Sequence, residues 1–214
     1  MQQPQHTVIE VFADIWCPFA HVGLRAVDER RRLSGREDVL ITVRSWPLEL
    51  VNGTPLDPIV TSHHVELLRA HVAPTLFKNF DPTRFPTSTL EALALVVRAY
   101  RAAPKRGEQM SFALRDALFE HGHDISDPII LQSIAEGFEL ELPDRSDSDA
   151  VLADWAEGRE REVRGSPHFF CGDHDAFCPS LEITRSAEQG LSVSRDVEAL
   201  AEFFSKCLDG ERIG

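Results

Sequence analysis

Val8-Ile9-Glu10-Val11-Phe12-Ala13-Asp14-Ile15-Trp16-Cys17-Pro18-Phe19-Ala20-His21 is the stretch whose reading decides the fold. An apolar run of strand character over 7–15 leads into a cysteine, a proline follows directly, and a helical pattern begins at His21. Strand, cysteine, proline, helix places a thiol at a helix N-terminus. There the unpaired backbone N–H groups and the helix dipole favour thiolate over thiol. Pro18 suits the first helical position, where its missing N–H costs nothing, and the amides of Phe19 and Ala20 can then point at the sulfur. A thiol so placed is expected to titrate about one to five units below an ordinary cysteine. Trp16 and Phe19 are expected to flank it with apolar surface. Redox sites of this kind usually carry a second cysteine three residues on, and this chain has Ala20 there.

Working outward, His21 to Leu33 presents Val22, Leu24, Ala26, Val27 and Leu33 among charges, a helical face that Ser34-Gly35 ends with turn chemistry. A second strand is expected over 38–46, so the first 46 residues form a β-α-β unit with a parallel pair. From about Val60 to Val163 the pattern turns helical. Helices are expected over Thr61–Phe80 with a kink or break at Pro74, and over Ser88–Ala103, Ser111–His121, Pro128–Gly137 and Ser146–Glu162. The strand signal returns as a hairpin: His168-Phe169-Phe170-Cys171, the turn Gly172-Asp173-His174-Asp175, then Ala176-Phe177-Cys178. A last helix is expected from about Ser194 to Leu208. The fold class is α/β, in the order β-α-β, a large all-helical insertion, then β-β-α.

Composition narrows the function. Lys plus Arg number 22 against 35 Asp plus Glu, a net charge of −13 with no basic patch beyond Arg30-Arg31-Arg32. That argues against nucleic acid or an anionic membrane as partner. No apolar run approaches the roughly 18 residues of a membrane span, and Met1 to His6 do not read as a signal peptide. The expected address is the cytoplasm, where four cysteines in 214 residues are too few for a disulfide scaffold. A cysteine there is by default a small buried hydrophobe, which is the reading for Cys207.

Three places could carry chemistry. Cys17 is the first; beside it, Asp14 is either a buried carboxylate below the thiol or a solvent-facing residue, and His21 is read as structural. The second is Arg164-Gly165-Ser166-Pro167-His168-Phe169-Phe170, where a proline after Gly-Ser and before a strand suits a cis turn. The third is Cys171, His174 and Cys178. It is open to reading as a partial metal site, as a cross-hairpin disulfide or second redox pair, or as ordinary strand cysteines, which is the leading reading. His63, His64, His121 and His123 suit surface or core roles.

The segment Val11 to Gly23 resembles the active-site segment of the DsbA-like branch of the thioredoxin superfamily, notably its FrnE-type members. Trp46-Pro47-Leu48-Glu49-Leu50, Ala117-Leu118-Phe119-Glu120 with Asp124-Ile125-Ser126-Asp127-Pro128, and Gly165 to Phe169 extend the likeness in order along the chain. The resemblance implies a thioredoxin-like domain from residues 1–58 and 164–214, interrupted by a helical domain over 59–163. It also implies that Cys17 is the attacking thiol and Pro167 the cis-proline, with Trp16, Pro18, Phe19, Ser166, Pro167 and His168 around the substrate. Cys171 and Cys178 are auxiliary thiols at most. No metal or bound cofactor is implied; glutathione or another low-molecular-weight thiol would serve as co-substrate, and the partner is a protein or small-molecule thiol or disulfide. The resolving cysteine of the family falls on Ala20. An adduct on Cys17 must then be cleared by an external thiol or a distant cysteine.

Two rival readings share the architecture. A glutathione-dependent isomerase or kappa-class transferase usually carries serine where this chain has Cys17, and its turnover would survive Cys17→Ser. A redox-inactive binding module would leave Cys17 with an ordinary thiol pKa.

Overall fold

The computed structural model describes residues 7–186 and 190–209; of the portions 1–58 and 164–214, residues 1–6, 187–189 and 210–214 lie outside them. Alternating apolar residues in β1 (Val8–Ala13) and β2 (Leu40–Ser45) pair in parallel, Val8 with Leu40 through Ala13 with Ser45. The crossover between them is α1 (Pro18–Leu33), whose last turn places Arg30, Arg31 and Arg32 where the helix dipole favours cations. Six helices follow: α2 (Leu48–Asn52), α3 (Pro58–His71), α4 (Leu90–Ala102), α5 (Pro104–Phe119), α6 (Pro128–Gly137) and α7 (Arg145–Glu160). The chain then returns as β3 (His168–Cys171) and β4 (His174–Phe177), a second hairpin of β5 (Leu181–Ser186) and β6 (Gly190–Arg195), and α8 (Val197–Asp209). The main sheet has the order β2-β1-β3-β4, with β3 antiparallel to both neighbours.

Several boundaries differ from the sequence expectation. α3 stops at His71, short of Pro74, and α5 starts at Pro104 rather than Ser111 because Pro104 fits its first turn. The β3–β4 turn is tighter than expected, since Cys171 already pairs with His174. The hairpin of β5 and β6 has no counterpart in the sequence expectation, and it delays the last helix to Val197. Its alternation is diluted by charges. What orders it is packing of Leu181 and Val193 into the core of the helical block, together with Arg195 Nε donating to the Val72 carbonyl at 2.6 Å.

Period-two alternation gives the main sheet two apolar faces. Ile9, Val11, Ala13, Ile41, Val43, Phe169 and Cys171 pack under Leu24 and Val27 of α1 and Phe203, Phe204 and Cys207 of α8. Phe12, Trp46 and Phe170 face the other way, toward Val163 and Trp155. On that side Arg44 is held by Glu10, Asp154 and Glu157, binding α7 to the sheet.

The outer edge of β2 is closed by side chains of the helical block. Ile41 N donates to Glu108 Oε2 at 3.2 Å, Val43 N to Tyr100 Oη at 2.8 Å and Ser45 N to Asp154 Oδ2 at 2.9 Å. The Tyr100 hydroxyl in turn donates to the Ile41 carbonyl at 3.0 Å. These bonds do for an edge strand what a further strand would do. Tyr100→Phe leaves a buried donor and acceptor unpaired and is expected to lower stability by about 1–3 kcal/mol, read as a shift in urea midpoint.

Candidate active site around Cys17

Cys17 is the N-cap of α1, with Pro18 opening the helix. The residue is 4% exposed, and Sγ donates to the Ser166 carbonyl oxygen at 3.1 Å. The Ser166 hydroxyl accepts from the Asp14 amide at 2.9 Å, so Ser166 grips the strand end on one side and the thiol on the other. The Ser166–Pro167 peptide bond is cis. Pro167 lies against α1 at Gly23: a Cβ there would meet Pro167 Cγ at 3.1 Å, so glycine permits this close approach.

The electrostatics correct the expectation of a low thiol pKa. Burial pushes the Cys17 thiol above its ordinary value; hydrogen bonding by the Ser166 side chain and the Ala20 amide, and the charge of Arg115, pull against that rise without reversing it. The helix N-terminus is there, as read from the sequence, but desolvation outweighs it.

Beneath the thiol sits a buried ionic group. Asp14 is fully buried, and its Oδ2 accepts from the Leu48 amide at 2.6 Å. Burial raises its pKa from 3.8 to about 6, against hydrogen bonds from Leu48 and Thr89 and the charge of Arg115. Arg115, from α5, is fully buried as well and donates from Nη1 to the carbonyls of Asp14 at 2.5 Å and Ile15 at 3.2 Å. Burial lowers its pKa to about 10, offset by the charges of Cys17 and Asp14, so it is a cation at neutral pH.

The raised pKa of Asp14 has a signed consequence for stability. Between its ordinary pKa of 3.8 and about 6 the folded protein binds the proton more tightly than the unfolded chain. Stability contributed at this site therefore falls as pH rises through that window. Asp14→Asn is expected to gain up to about 3 kcal/mol over wild type at pH 7.5 and almost nothing at pH 4, by urea unfolding at both values.

Ser166, Pro167 and Pro18 stand with Cys17, all buried, and Phe19 is half-buried against His64 of α3, ring centroids 5.2 Å apart. Trp16 does not offer surface to a partner: it is fully buried and stacks on Phe85 at 5.7 Å with planes 5° apart, inside the core of the helical block. His168 is also turned away from the thiol. Its Nδ1 accepts from the Arg164 amide at 3.1 Å and its Nε2 bonds Asp175 at 2.8 Å, on the face where its ring meets Phe170. Alternation along β3 puts Phe169 on the Cys17 side and His168 opposite. His21 is structural and fully buried; its Nε2 bonds Glu120 Oε1 at 2.9 Å. Burial pushes Glu120 up, but His21 and the amides of Phe77 and Lys78 outweigh it and hold the carboxyl down at about 2.

Cys171 and Cys178 are separated by the hairpin register. Cys171 pairs with His174 at the turn, and Cys178 follows Phe177, the partner of His168, at the other end. This removes both the cross-hairpin bridge and the Cys171-His174-Cys178 ligand set; among the described residues no group of three His, Cys, Asp or Glu is placed to hold a metal ion. Cys171 instead meets Cys207 of α8, thiol to thiol, within the same apolar cluster.

Sequence reasoning missed Arg115, whose charge reads as solvated. The available signal was the stripe Glu108, Ser111 and Arg115, which runs at helical spacing through a face otherwise made of Met110, Leu114 and Leu118.

A family model for the DSBA-like thioredoxin domain matches residues 8–189. No curated protein matched by sequence. Among solved structures, a candidate protein disulfide isomerase from Nitrosomonas europaea is similar at 17% identity and TM-score 0.65, covering 98% of this chain and all of the other (100%). The cytosolic disulfide reductase DsbM from Pseudomonas aeruginosa is similar at 14% identity and TM-score 0.57, covering 97% and 100%, and is also known with GSH. A 2-hydroxychromene-2-carboxylate isomerase is similar at 14% identity and TM-score 0.57 over 79% of this chain and 88% of its own. With a thiol at the N-cap of α1, the Ser166–Pro167 turn against it, and a family match over most of its length, the chain belongs to the DSBA-like thioredoxin family of thiol oxidoreductases and has its thioredoxin-like α/β fold.

Proposed function

We propose that the protein is a cytoplasmic, FrnE-like thiol–disulfide oxidoreductase whose Cys17-Pro18-Phe19-Ala20 motif contributes a single thiol. The observation that carries this reading is the bond from Cys17 Sγ to the Ser166 carbonyl at 3.1 Å, at the head of α1. A disulfide sulfur approaching Cys17 is met by the half-buried Phe19 and by the Ser166–Pro167 backbone. The Cys17 thiolate attacks it, forming a mixed disulfide and releasing the other half as a thiolate. Arg115 faces the charge on Cys17 from below, and Asp14 opposes it. Glutathione or a similar small thiol is the co-substrate, a reading in keeping with the GSH complex of the structurally similar DsbM. Residues 59–163 form the inserted helical domain, and 1–58 with 164–214 the thioredoxin-like part.

The test is brief treatment with glutathione disulfide at pH 8, followed by peptide mass spectrometry. Attack is expected at Cys17 ahead of Cys171, Cys178 and Cys207. Its rate is expected to rise with pH up to or beyond the pKa of an ordinary cysteine, because burial raises the thiol. An unmodified Cys17 would refute the exchange reading, and isomerase turnover surviving Cys17→Ser would favour the glutathione-dependent isomerase.

A further inference from the structure

Ala20 is fully buried among Cys17, Leu24 and Phe169 and brings no second thiol to the motif. The four cysteines are nevertheless not scattered. Four residue steps of extended chain lead from Pro167 to Cys171, about 13 Å along β3, and β1 pairs with β3 so that Phe12 faces His168 and Glu10 faces Phe170. Cys171 therefore lies toward the start of β1, away from Cys17, where it meets Cys207. Cys178 lies at the opposite end. Its amide donates to the Pro167 carbonyl at 3.1 Å, while Cys17 Sγ bonds the carbonyl of the preceding residue, Ser166, also at 3.1 Å. The two cysteines thus address consecutive peptide units of one turn. Two residues beyond Cys178, Ser180 Oγ comes within 3.6 Å of a Cβ built on Gly23, so this segment packs directly on α1.

The backbone at Cys178 is unusual too. It holds φ at 49°, in the left-handed region, although it is not glycine. Such a conformation costs on the order of 1 kcal/mol for a residue with a Cβ, and glycine or asparagine would adopt it more readily. The bond to Pro167 and the Leu181 amide donating to the Cys178 carbonyl at 3.0 Å hold it in place. The residue is 3% exposed. Burial raises its pKa, and the charge of Cys17 raises it further, so the two sulfurs feel each other.

We propose that Cys178 is the resolving thiol for Cys17, standing in for the cysteine that position 20 lacks. This rests on the exchange reading above. In the first step the Cys17 thiolate attacks a disulfide RSSR′, forming Cys17–S–S–R and releasing R′S⁻. In the second, the Cys178 sulfur attacks Cys17 Sγ; the Cys17–Cys178 bond forms, the bond to R breaks, and the Cys178 proton leaves with R as RSH. The substrate gains two electrons and the two cysteines lose them. Two molecules of a low-molecular-weight thiol, departing as their own disulfide, return the pair to the reduced state. Bond formation brings the two Cα atoms within about 7 Å.

The test is a single turnover of the reduced full-length protein with glutathione disulfide and no free thiol. Wild type is expected to release two glutathiones per chain and end as a Cys17–Cys178 disulfide in non-reduced peptide maps. Cys178→Ser and Cys178→Ala are expected to release one and stop at a Cys17–glutathione adduct that persists at least about tenfold longer. Cys171→Ser and Cys207→Ser are expected to behave as wild type. A stable adduct on wild-type Cys17, or a bridge from Cys17 to Cys171 or Cys207, would overturn the assignment while leaving exchange at Cys17 intact. Failure to form any Cys17 adduct, in wild type and in the Cys178 variants, would remove both readings together.

Discussion

Cys17→Ser is expected to reduce thiol–disulfide exchange at least about a thousandfold, because a hydroxyl cannot form the mixed disulfide through which every later step passes. The substitution is nearly isosteric, and a serine hydroxyl can still donate to the Ser166 carbonyl that now accepts from Sγ. The fold should therefore be kept, with the urea midpoint moving little. Loss of exchange with an unchanged midpoint isolates the chemistry. Reduction of a small disulfide such as glutathione disulfide, followed by thiol release, is a direct measurement. Residual exchange above about a tenth of wild type would mean that another cysteine is the nucleophile.

The second large effect is on stability. Arg115→Met is expected to cost about 3–5 kcal/mol at pH 7.5, although methionine fills the volume and Arg115 is itself buried at a penalty. Removing the cation leaves the buried Asp14 carboxylate with its hydrogen bonds from Leu48 and Thr89 but without the nearby positive charge, and leaves the Asp14 and Ile15 carbonyls without their donor. These two parts separate experimentally. At pH 5, Asp14 with a pKa of about 6 is largely protonated already, so the cost should shrink toward that of the unpaired carbonyls. The double variant Asp14→Asn/Arg115→Met should regain part of the loss at pH 7.5, and urea unfolding of the four proteins closes the cycle. Equal costs at both pH values would show that Arg115 acts only as a donor to backbone. In the single variant the Cys17 alkylation profile should also move to higher pH, since Arg115 is among the groups that pull the Cys17 pKa down.

Much of the candidate site is local and could be read from the chain. The strand–Cys17–Pro18–helix order depends on proline at the first helical position and on apolar alternation, both properties of adjacent residues. Ser166-Pro167 was legible for the same reason. The roles given to Trp16 and His168 failed because sequence adjacency to a site does not say which way a side chain points. Trp16 is drawn into the helical block by Phe85, and His168 is set by strand alternation on the far face. The sequence leaves Asp14 open between two environments, and only the Leu48 amide and Arg115, brought from 34 and 101 positions away, decide it as buried.

By itself the sequence determined the α/β class, the opening β-α-β unit, the run of helices, the β3–β4 hairpin and a single thiol in the motif, because these follow from periodicity, turn chemistry and residue identity over short windows; the β5–β6 hairpin before α8 does not. The tertiary structure alone decided the rest: that burial outweighs the helix N-terminus at Cys17, that a cation from α5 lies beneath it, and that Cys178 rather than Cys171 stands at the same turn. Each of these is set by desolvation or by strand register, and both arise only when segments distant in sequence pack together.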